Sequence, residues 1–226
     1  MKIINAYIEV PEIDGVVMLR NIEKAGRTCY KSETKITDDS YQAFIEKIMK
    51  LGHHSMFEHE KVTVRIICDR GVTHEIVRHR LAAYSQESTR YCNYGNSDRG
   101  CTFIKPFFFQ SVNPDYNEEK KYHAWMYSMK QSEDAYLELL NRGATPQEAR
   151  SVLPNSLKTE IVVTYNLREW RHFFSLRAAK AAHPQMQQVA IPLLLYFKEQ
   201  LAPLFDDINY NKDFDPDNYA DIFRVK

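Results

Sequence analysis

Residues 78–91 read Arg-His-Arg-Leu-Ala-Ala-Tyr-Ser-Gln-Glu-Ser-Thr-Arg-Tyr. The stretch contains three arginines, one histidine, two serines and one glutamine, and it offers few side chains to a hydrophobic core. Guanidinium groups bind phosphate oxygens bidentately, and serine hydroxyls can complete such an anion site. A solvated basic loop that follows a helix is the alternative. In a helix, Arg78, His79 and Arg80 would project about 100° apart, so they fit either solvent or a large ligand with several faces.

The remaining sequence predicts short strands that alternate with longer helices, without linkers or repeats. Strands are expected over residues 2–10, 61–68 and 158–165. Helices are expected over residues 14–25, from 37 or 38 to 51, 73–78, 115–141, 146–150, 166–182 and 185–201. This order indicates an α+β fold. We expect one domain over residues 1–226, with a mixed sheet flanked by helices. No Gly-x-Gly-x-x-Gly follows a strand, which argues against a Rossmann nucleotide site.

Polar caps and helix breakers set most of these expected boundaries. The expected N-caps are Asp14, Thr73, Thr145 and Asn166. Gly26 would stop the first helix and Gly52 the second. Arg78 and Arg150 are each expected inside a short helix, and Pro192 would kink the last one.

Composition restricts the possible partners. The 226 residues suffice for one sizeable core. Lys+Arg and Asp+Glu number 30 each, and the zero formal net charge argues against a general nucleic-acid-binding protein. No apolar run reaches the length of a membrane span, and the first ten residues lack the apolar core of a signal peptide. We therefore expect neither nucleic acid nor membrane as a partner.

Cysteine and histidine spacing bears on metal sites and on the cellular compartment. Four cysteines without CxxC spacing indicate neither a zinc site nor a disulfide framework. Unpaired cysteines are typical of a reducing compartment, so we expect a cytoplasmic location. His53, Glu58 and His59 lack the helical His-x-x-x-His spacing of a metal site, and no metal is predicted.

The predicted helix after Asn166 contains an arginine in an unusual place. On a helical wheel, Trp170, Phe173 and Phe174 form an apolar face, hereafter the aromatic stripe, and Arg177 lies at its centre. An unpaired buried charge is very costly, so Arg177 must reach a partner. The partner can be a ligand, a buried carboxylate or the ring of Trp170.

Ser88 resembles a nucleophile only at first sight. A nucleophilic serine needs an adjacent general base and an oxyanion hole, and no Gly-x-Ser-x-Gly elbow is present. We interpret Ser88 as a hydrogen-bond donor to phosphate, with Arg90 supplying the positive charge. A plain loop serine and a surface arginine are the alternatives.

Four sequence elements together resemble the flavin-dependent thymidylate synthases. The first is Arg78-His79-Arg80 followed, after seven residues, by Ser88. The second, over residues 52–59, is similar to the family's Gly-His-x-Ser/Thr-x-x-Glu-His element. Residues 149–154 and the pair of segments 166–168 and 176–178 are similar to its downstream elements. The resemblance extends from about residue 25 to about residue 190, in order and with family-like spacing.

This resemblance implies a complete reaction. The family makes dTMP from dUMP by reductive methylation, with methylenetetrahydrofolate as carbon donor and NADPH-reduced FAD as hydride source. Its members are homotetramers with active sites at subunit interfaces. The matching arginine, Arg177, would contact the pyrimidine and favour ionisation at its N3, which makes it the predicted catalytic residue.

The resemblance also implies two sets of binding residues. FAD would contact Ser55, Arg78, His79, Arg80, Gln86, Asn166, Leu167, Arg168 and His172. The substrate dUMP would contact Glu75, Ile76, Val77, Arg78, Gln86, Glu87, Ser88, Thr89, Arg90, Arg150 and Arg177. The chain departs from some members at Ser85-Gln86, His172 and Ala181, where those members have Asn-Glu, asparagine and a flavin-stacking histidine.

Two other functions compete with the enzyme. A non-catalytic nucleotide-binding protein could have kept the phosphate site, but the flavin elements and Arg177 disfavour it. An RNA-binding protein could use residues 78–90, but the zero net charge disfavours that function.

Overall fold

The computed structural model describes residues 1–95, 100–109 and 116–225, without the side chains of Tyr116 and Glu118. The chain forms two compact units. Unit 1 comprises Met1–Tyr7, Ile66–Arg78 and Ser85–Ile161, and unit 2 comprises Ile8–Arg65, His79–Tyr84 and Val162–Lys226. Helices and strands are interspersed as predicted, so the α+β class is confirmed. The expectation of a single domain over the whole chain stays a prediction.

The strands form two sheets. The strands are β1 (Lys2–Ile4), β2 (Tyr7–Pro11), β3 (Lys61–Asp69), β4 (Ala82–Gln86), β5 (Thr102–Ile104), β6 (Lys158–Asn166) and β7 (Asp221–Val225). Strands β1 and β5 pair in parallel, with Ile3 opposite Phe103. The other sheet has the order β4-β6-β3-β2-β7. Tyr84 contacts Tyr165 and the N–H of Glu87 donates to Glu160, so β4 and β6 are antiparallel. Both pairing types occur, as the predicted mixed arrangement requires.

Seven α-helices lie in the described part of the chain. They are α1 (Gly15–Cys29), α2 (Ser40–Lys50), α3 (Arg70–Ile76), α4 (Tyr116–Asn141), α5 (Pro146–Ala149), α6 (Leu167–Arg177) and α7 (Pro184–Gln200). None of the helices that the structure describes is long and apolar enough to cross a membrane. The expected start of the long helix, Asp115, lies outside the described residues.

Three of the predicted N-caps are confirmed. Asp14 accepts the N–H of Val17 at 3.0 Å. Thr145 opens a capping box in which Glu148 accepts the Thr145 N–H at 2.8 Å. Asn166 caps α6 by accepting a backbone N–H at 2.8 Å. Each cap satisfies a donor of the first turn that has no partner within the helix.

Several predicted boundaries are wrong, one of them because of tertiary packing. Residues 2–10 form two strands rather than one. Helix α1 continues through Gly26 to Cys29. Gly26 serves close packing rather than helix termination, because a Cβ at this position would lie 2.4 Å from Cζ of Phe44. Helix α2 begins at Ser40, two or three residues later than expected.

The boundaries beside the candidate site also differ from the prediction. Asp69, not Thr73, caps α3 by accepting the N–H of Val72 at 2.9 Å. Helix α3 ends at Ile76, so Arg78 follows the helix instead of lying in it. Arg150 caps the C-terminus of α5 and begins a 3-10 turn. Helix α6 ends at Arg177 rather than near residue 182. The final helix contains Pro192, and the kink expected there stays a prediction.

Each unit has its own apolar core. In unit 1, Phe103, Trp125, Met129, Tyr136 and Leu157 form one buried cluster. In unit 2, the aromatic stripe of α6 is fully buried and packs against Phe197 of α7, whose ring centroid lies 5.1 Å from that of Trp170. Each such side chain contributes about 1.5–3 kcal/mol on burial, and together they fix the rotation of α6.

Candidate active site

Helix α6 positions the candidate site in unit 2. Asn166 fixes where the helix begins, and the buried aromatic stripe fixes which face points inward. Arg168 and His172 lie on the other face and are exposed. The local sequence therefore places both predicted flavin-binding side chains toward solvent.

His79 connects this helix with the Arg-His-Arg motif. Its side chain is buried, and its Nδ1 lies 2.9 Å from Oε1 of Glu169. Nε of Arg177 donates to Nε2 of His79 at 3.2 Å. Arg177 thus has a partner, as its place in the aromatic stripe required. Although residues 78–91 were expected to offer few side chains to the core, His79 and Thr89 are buried.

Two tyrosines hold the backbone of His79. The Tyr84 hydroxyl donates to the His79 carbonyl at 2.7 Å and lies 2.8 Å from the Tyr165 hydroxyl. Burial raises the pKa of both phenols. Both hydroxyls therefore stay protonated at neutral pH and serve as hydrogen-bonding groups that fix the position of the imidazole.

A cavity of about 1160 Å³ lies beside α6 in unit 2. Asn166, Arg168 and His172 of the predicted flavin set line it, together with Glu169. Ser55 is absent from this lining, whereas the preceding residue, His54, belongs to it. Ligand cavities commonly enclose about 300–1,000 Å³, so this cavity is large enough for a sizeable cofactor.

Charged side chains of both signs line the cavity, and among them Arg168 offers donors to an anionic ligand. Burial, followed by the charges of Arg171 and Arg168, lowers the pKa of His54 on the cavity wall. Glu58 accepts from Nη1 of Arg168 at 2.6 Å, and both side chains are partly exposed. The other N–H groups of Arg168 can donate to an oxyanion. The cavity and its donor set therefore fit a flavin nucleotide with its phosphate groups.

Predicted substrate residues in unit 1 form a second polar group. Gln86 donates to the hydroxyls of Thr73 at 3.0 Å and Thr159 at 3.2 Å. Glu87 accepts from Nζ of Lys158 at 2.9 Å. Both amide hydrogens of Gln86 are thereby used, which leaves its carbonyl oxygen as the group available to a ligand.

The Ser88–Arg90 segment is also held within unit 1. Thr89 is buried, and its hydroxyl accepts from Nη1 of Arg150 at 3.2 Å. Ser88 Oγ accepts the N–H of Arg90 at 3.3 Å, and the Arg90 side chain is exposed. The structure thus brings Arg150, predicted from a distant element, to the segment predicted to bind phosphate.

The other predicted residues differ in accessibility. Exposed side chains belong to Ser55, Val77, Arg78 and Arg80. Glu75 is half-buried, whereas Ile76 and Leu167 are fully buried in the core. The N–H of Leu167 donates to the Glu60 carbonyl at 2.9 Å. The side chains of Ile76 and Leu167 therefore support the fold, which leaves their assigned binding roles as predictions.

Sequence reasoning missed several polar residues of the site. Arg171 forms a bidentate pair with Asp207, at 2.7 and 2.6 Å, and also donates to the Leu204 carbonyl. These hydrogen bonds lower the pKa of Asp207. Glu169 occupies the third position of α6, which is typical of a capping-box glutamate, but it contacts His79. In both cases the partner is distant in sequence, so helical spacing carries no signal for it.

His79, Glu169 and His172 have ligand atoms within 4.8 Å of one another, the spacing of a possible metal site. The two ring nitrogens of His79, however, contact Glu169 and the guanidinium of Arg177. A permanent cation beside the cluster disfavours a metal ion. The expectation of no metal stays a prediction.

Comparison with known proteins identifies the family. A family profile described as thymidylate synthase complementing protein matches residues 17–203. The flavin-dependent thymidylate synthase of Pyrococcus abyssi is 36% identical over 177 residues, covering 77% of this chain and 70% of the relative. That of Geobacter sulfurreducens is 35% identical over 190 residues, covering 81% and 78%. That of Corynebacterium glutamicum is 33% identical over 214 residues, covering 87% and 81%.

The profile spans both the Arg-His-Arg motif and α6, the two elements that carry the geometry above. The resemblance predicted from the sequence motifs is confirmed, and with it the predicted enzyme class. The chain therefore belongs to the family of the flavin-dependent thymidylate synthases.

Proposed function

We propose that the chain makes dTMP from dUMP by reductive methylation, with methylenetetrahydrofolate as carbon donor and NADPH as reductant. FAD is the flavin cofactor of this family. The observation that supports this function best is the cavity of unit 2. Its lining combines Glu169 with the predicted flavin residues Asn166, Arg168 and His172. Glu169 in turn contacts His79, whose other ring nitrogen accepts from Arg177.

Asn166, Arg168 and His172 would hold FAD, with Arg168 donating to its phosphate oxygens. His79 would contribute its apolar ring surface and Ser55 its hydroxyl. When bound, FAD supplies the hydride that reduces the transferred carbon unit. The protein's part is to orient the reactants and to exclude water from them.

Arg177 would act on the pyrimidine of dUMP. A guanidinium carries a permanent charge and presents several N–H donors in one plane, so it can stabilise negative charge that develops on the base. Its Nε donates to Nε2 of His79, which holds the guanidinium beside the imidazole.

The phosphate of dUMP would bind to the Ser88–Arg90 segment and Arg150. Because Ser88 Oγ accepts a backbone N–H, its own hydrogen can donate to phosphate. Arg90 and Arg150 are exposed and supply charge. Contacts of Glu75, Ile76, Val77, Gln86, Glu87 and Thr89 with dUMP belong to the same proposal, as do FAD contacts of Arg80, Gln86 and Leu167. Arg78 would contact both ligands.

We further propose a cytoplasmic homotetramer whose active sites lie at subunit interfaces. The exposure of Arg78 and Arg80, on either side of buried His79, fits side chains that contact ligands or neighbouring subunits. This part of the proposal depends on the family resemblance. Sedimentation of the purified protein would measure the oligomeric state directly.

The absorbance spectrum of the purified protein tests the function. We expect a yellow protein that NADPH bleaches without oxygen, faster when dUMP is present, and dTMP formation when methylenetetrahydrofolate is added. A protein that binds dUMP but never FAD would support the non-catalytic alternative. A colourless protein that cannot be reconstituted with FAD would refute the proposal.

A further inference from the structure

Glu169 has a contact that its position in the sequence does not explain. It is the third residue of α6, where a glutamate commonly turns back to the N-cap backbone, as Glu148 does in α5. Oε1 of Glu169 lies instead at Nδ1 of His79, 2.9 Å away and 90 residues earlier in the chain. The two side chains are only 13% and 2% exposed.

The partners of the two ring nitrogens together specify the tautomer of His79. Arg177 has N–H donors and no acceptor, so Nε2 of His79 must accept the hydrogen bond from Nε of Arg177. The hydrogen of a neutral imidazole then resides on Nδ1, where it donates to Glu169. The other tautomer would place two N–H groups against each other at the Arg177 side.

We propose that Glu169 is a positioning residue, which acts through His79 to aim Arg177 at the pyrimidine. The inference deepens the proposed function and rests on the role of Arg177 in it. Glu169 keeps Nε2 of His79 as an acceptor, and that acceptor holds Nε of Arg177. The terminal guanidinium nitrogens are thereby kept in one orientation.

The burial of Glu169 and the packing around His79 both support a specific role for the contact between them. Burial raises the pKa of Glu169, which means that the carboxylate is held there at a cost. Tyr84 fixes the His79 carbonyl at 2.7 Å, and the Phe173 ring lies 5.1 Å from the imidazole. The imidazole is therefore fixed by its backbone and its ring, and Glu169 stabilises the tautomer with the hydrogen on Nδ1, the one that can accept from Arg177.

Glu169→Leu and Glu169→Gln, each alone and combined with Arg177→Lys, test the proposal in the full-length flavoprotein. Leucine removes the acceptor, and we expect dTMP turnover at saturating dUMP to fall about tenfold to a hundredfold with FAD content unchanged. Glutamine can still accept from Nδ1 and should restore most of the turnover. In the Arg177→Lys background, Glu169→Leu should cause little further loss, because both changes remove the same function. Glu199→Leu, which removes an exposed carboxylate paired with Arg224, is the control.

A second measurement does not depend on substrate. Nitrogen-15 spectra of histidine-labelled protein, with the His79 signal identified by its loss in His79→Gln, should show the hydrogen on Nδ1 in the wild type. In Glu169→Leu the spectra should show a mixture of the two neutral tautomers. A wild-type His79 with its hydrogen on Nε2, or independent multiplicative losses in the double variant, would overturn the proposal. Absence of dTMP synthesis by the wild type would refute the proposed function instead, while the spectra still report the tautomer. If Glu169→Leu does not fold, the turnover of Glu169→Gln and the wild-type tautomer of His79 decide whether the proposal holds.

Discussion

Replacing Arg168 by methionine should separate cofactor binding from protein stability. Arg168 lies on the cavity of unit 2, and its pairing with Glu58 uses Nη1. Methionine keeps much of the length and apolar stem of arginine but removes every N–H donor. If Arg168 donates to a phosphate of FAD, the substitution removes a charge-assisted hydrogen bond.

The structure indicates the size of both effects. The two side chains are 54% and 40% exposed, so the ion pair contributes at most about 1 kcal/mol to the free energy of unfolding. For a chain of this length that corresponds to a melting temperature lower by about 2–4 °C. A hydrogen bond to a charged group contributes about 1.5–3 kcal/mol, so FAD affinity should fall roughly tenfold to a hundredfold.

Fluorescence titration of the apoprotein with FAD measures the affinity, and a melting curve measures the stability. Arg142→Met is a matched control, because Arg142, which directly follows α4, forms an exposed pair with Glu138 at 2.7 Å and lies outside the cavity lining. Arg142→Met should lose no more stability than Arg168→Met and should keep its affinity for FAD. An unchanged FAD dissociation constant in Arg168→Met would refute the role of Arg168 in the cavity.

Three further changes test other parts of the site and fold. Ser88→Ala should weaken dUMP binding by about 1.5–3 kcal/mol while turnover stays measurable, because the hydroxyl donates and does not attack; a covalent adduct on Ser88 would contradict this. Asp207→Asn should cost about 1 kcal/mol near neutral pH, a modest value because Asp207 is half exposed. Hydrogen bonds from Arg171 lower the pKa of Asp207, so its stabilising contribution is fully present above pH 3.8, the ordinary pKa, and is lost as the pH falls through the lowered pKa of the folded protein. A difference in melting temperature between wild type and Asp207→Asn that persists in strong acid would argue against this contribution. Gly26→Ala should lower the melting temperature, since overpacking against Phe44 costs about 1–3 kcal/mol and improved helix propensity returns only about 1; unchanged or increased stability would show that Phe44 can move away.

Features that depend on neighbouring residues were predictable from the sequence. The caps Asp14, Thr145 and Asn166 act within three residues, and each is confirmed. The alternation of apolar residues predicted β3, and the spacing of the aromatic stripe predicted the buried face of α6. The stripe also indicated that Arg177 needs a partner, because the cost of an unpaired charge does not depend on what the partner is.

Features that depend on distant residues were not predictable in this way. Gly26 reads as a helix stop, and only the ring of Phe44 above it explains why the helix continues. Asp69 and Thr73 are both acceptable local caps for α3; Asp69 is the one used, and the N–H of Arg70 beside it donates to the distant carbonyl of Asn155. Contacts with residues distant in sequence therefore explain boundaries that the local sequence pattern did not predict.

The sequence by itself determined the α+β class, the family motifs, the caps and the buried face of α6. Tertiary structure alone decided that Glu169 turns away from its helix end to His79, and that His79 receives Arg177. Helical periodicity specifies the face on which a side chain lies, whereas the atom it meets depends on which distant segment packs there. The orientation of the predicted catalytic arginine is for this reason a property of the folded chain.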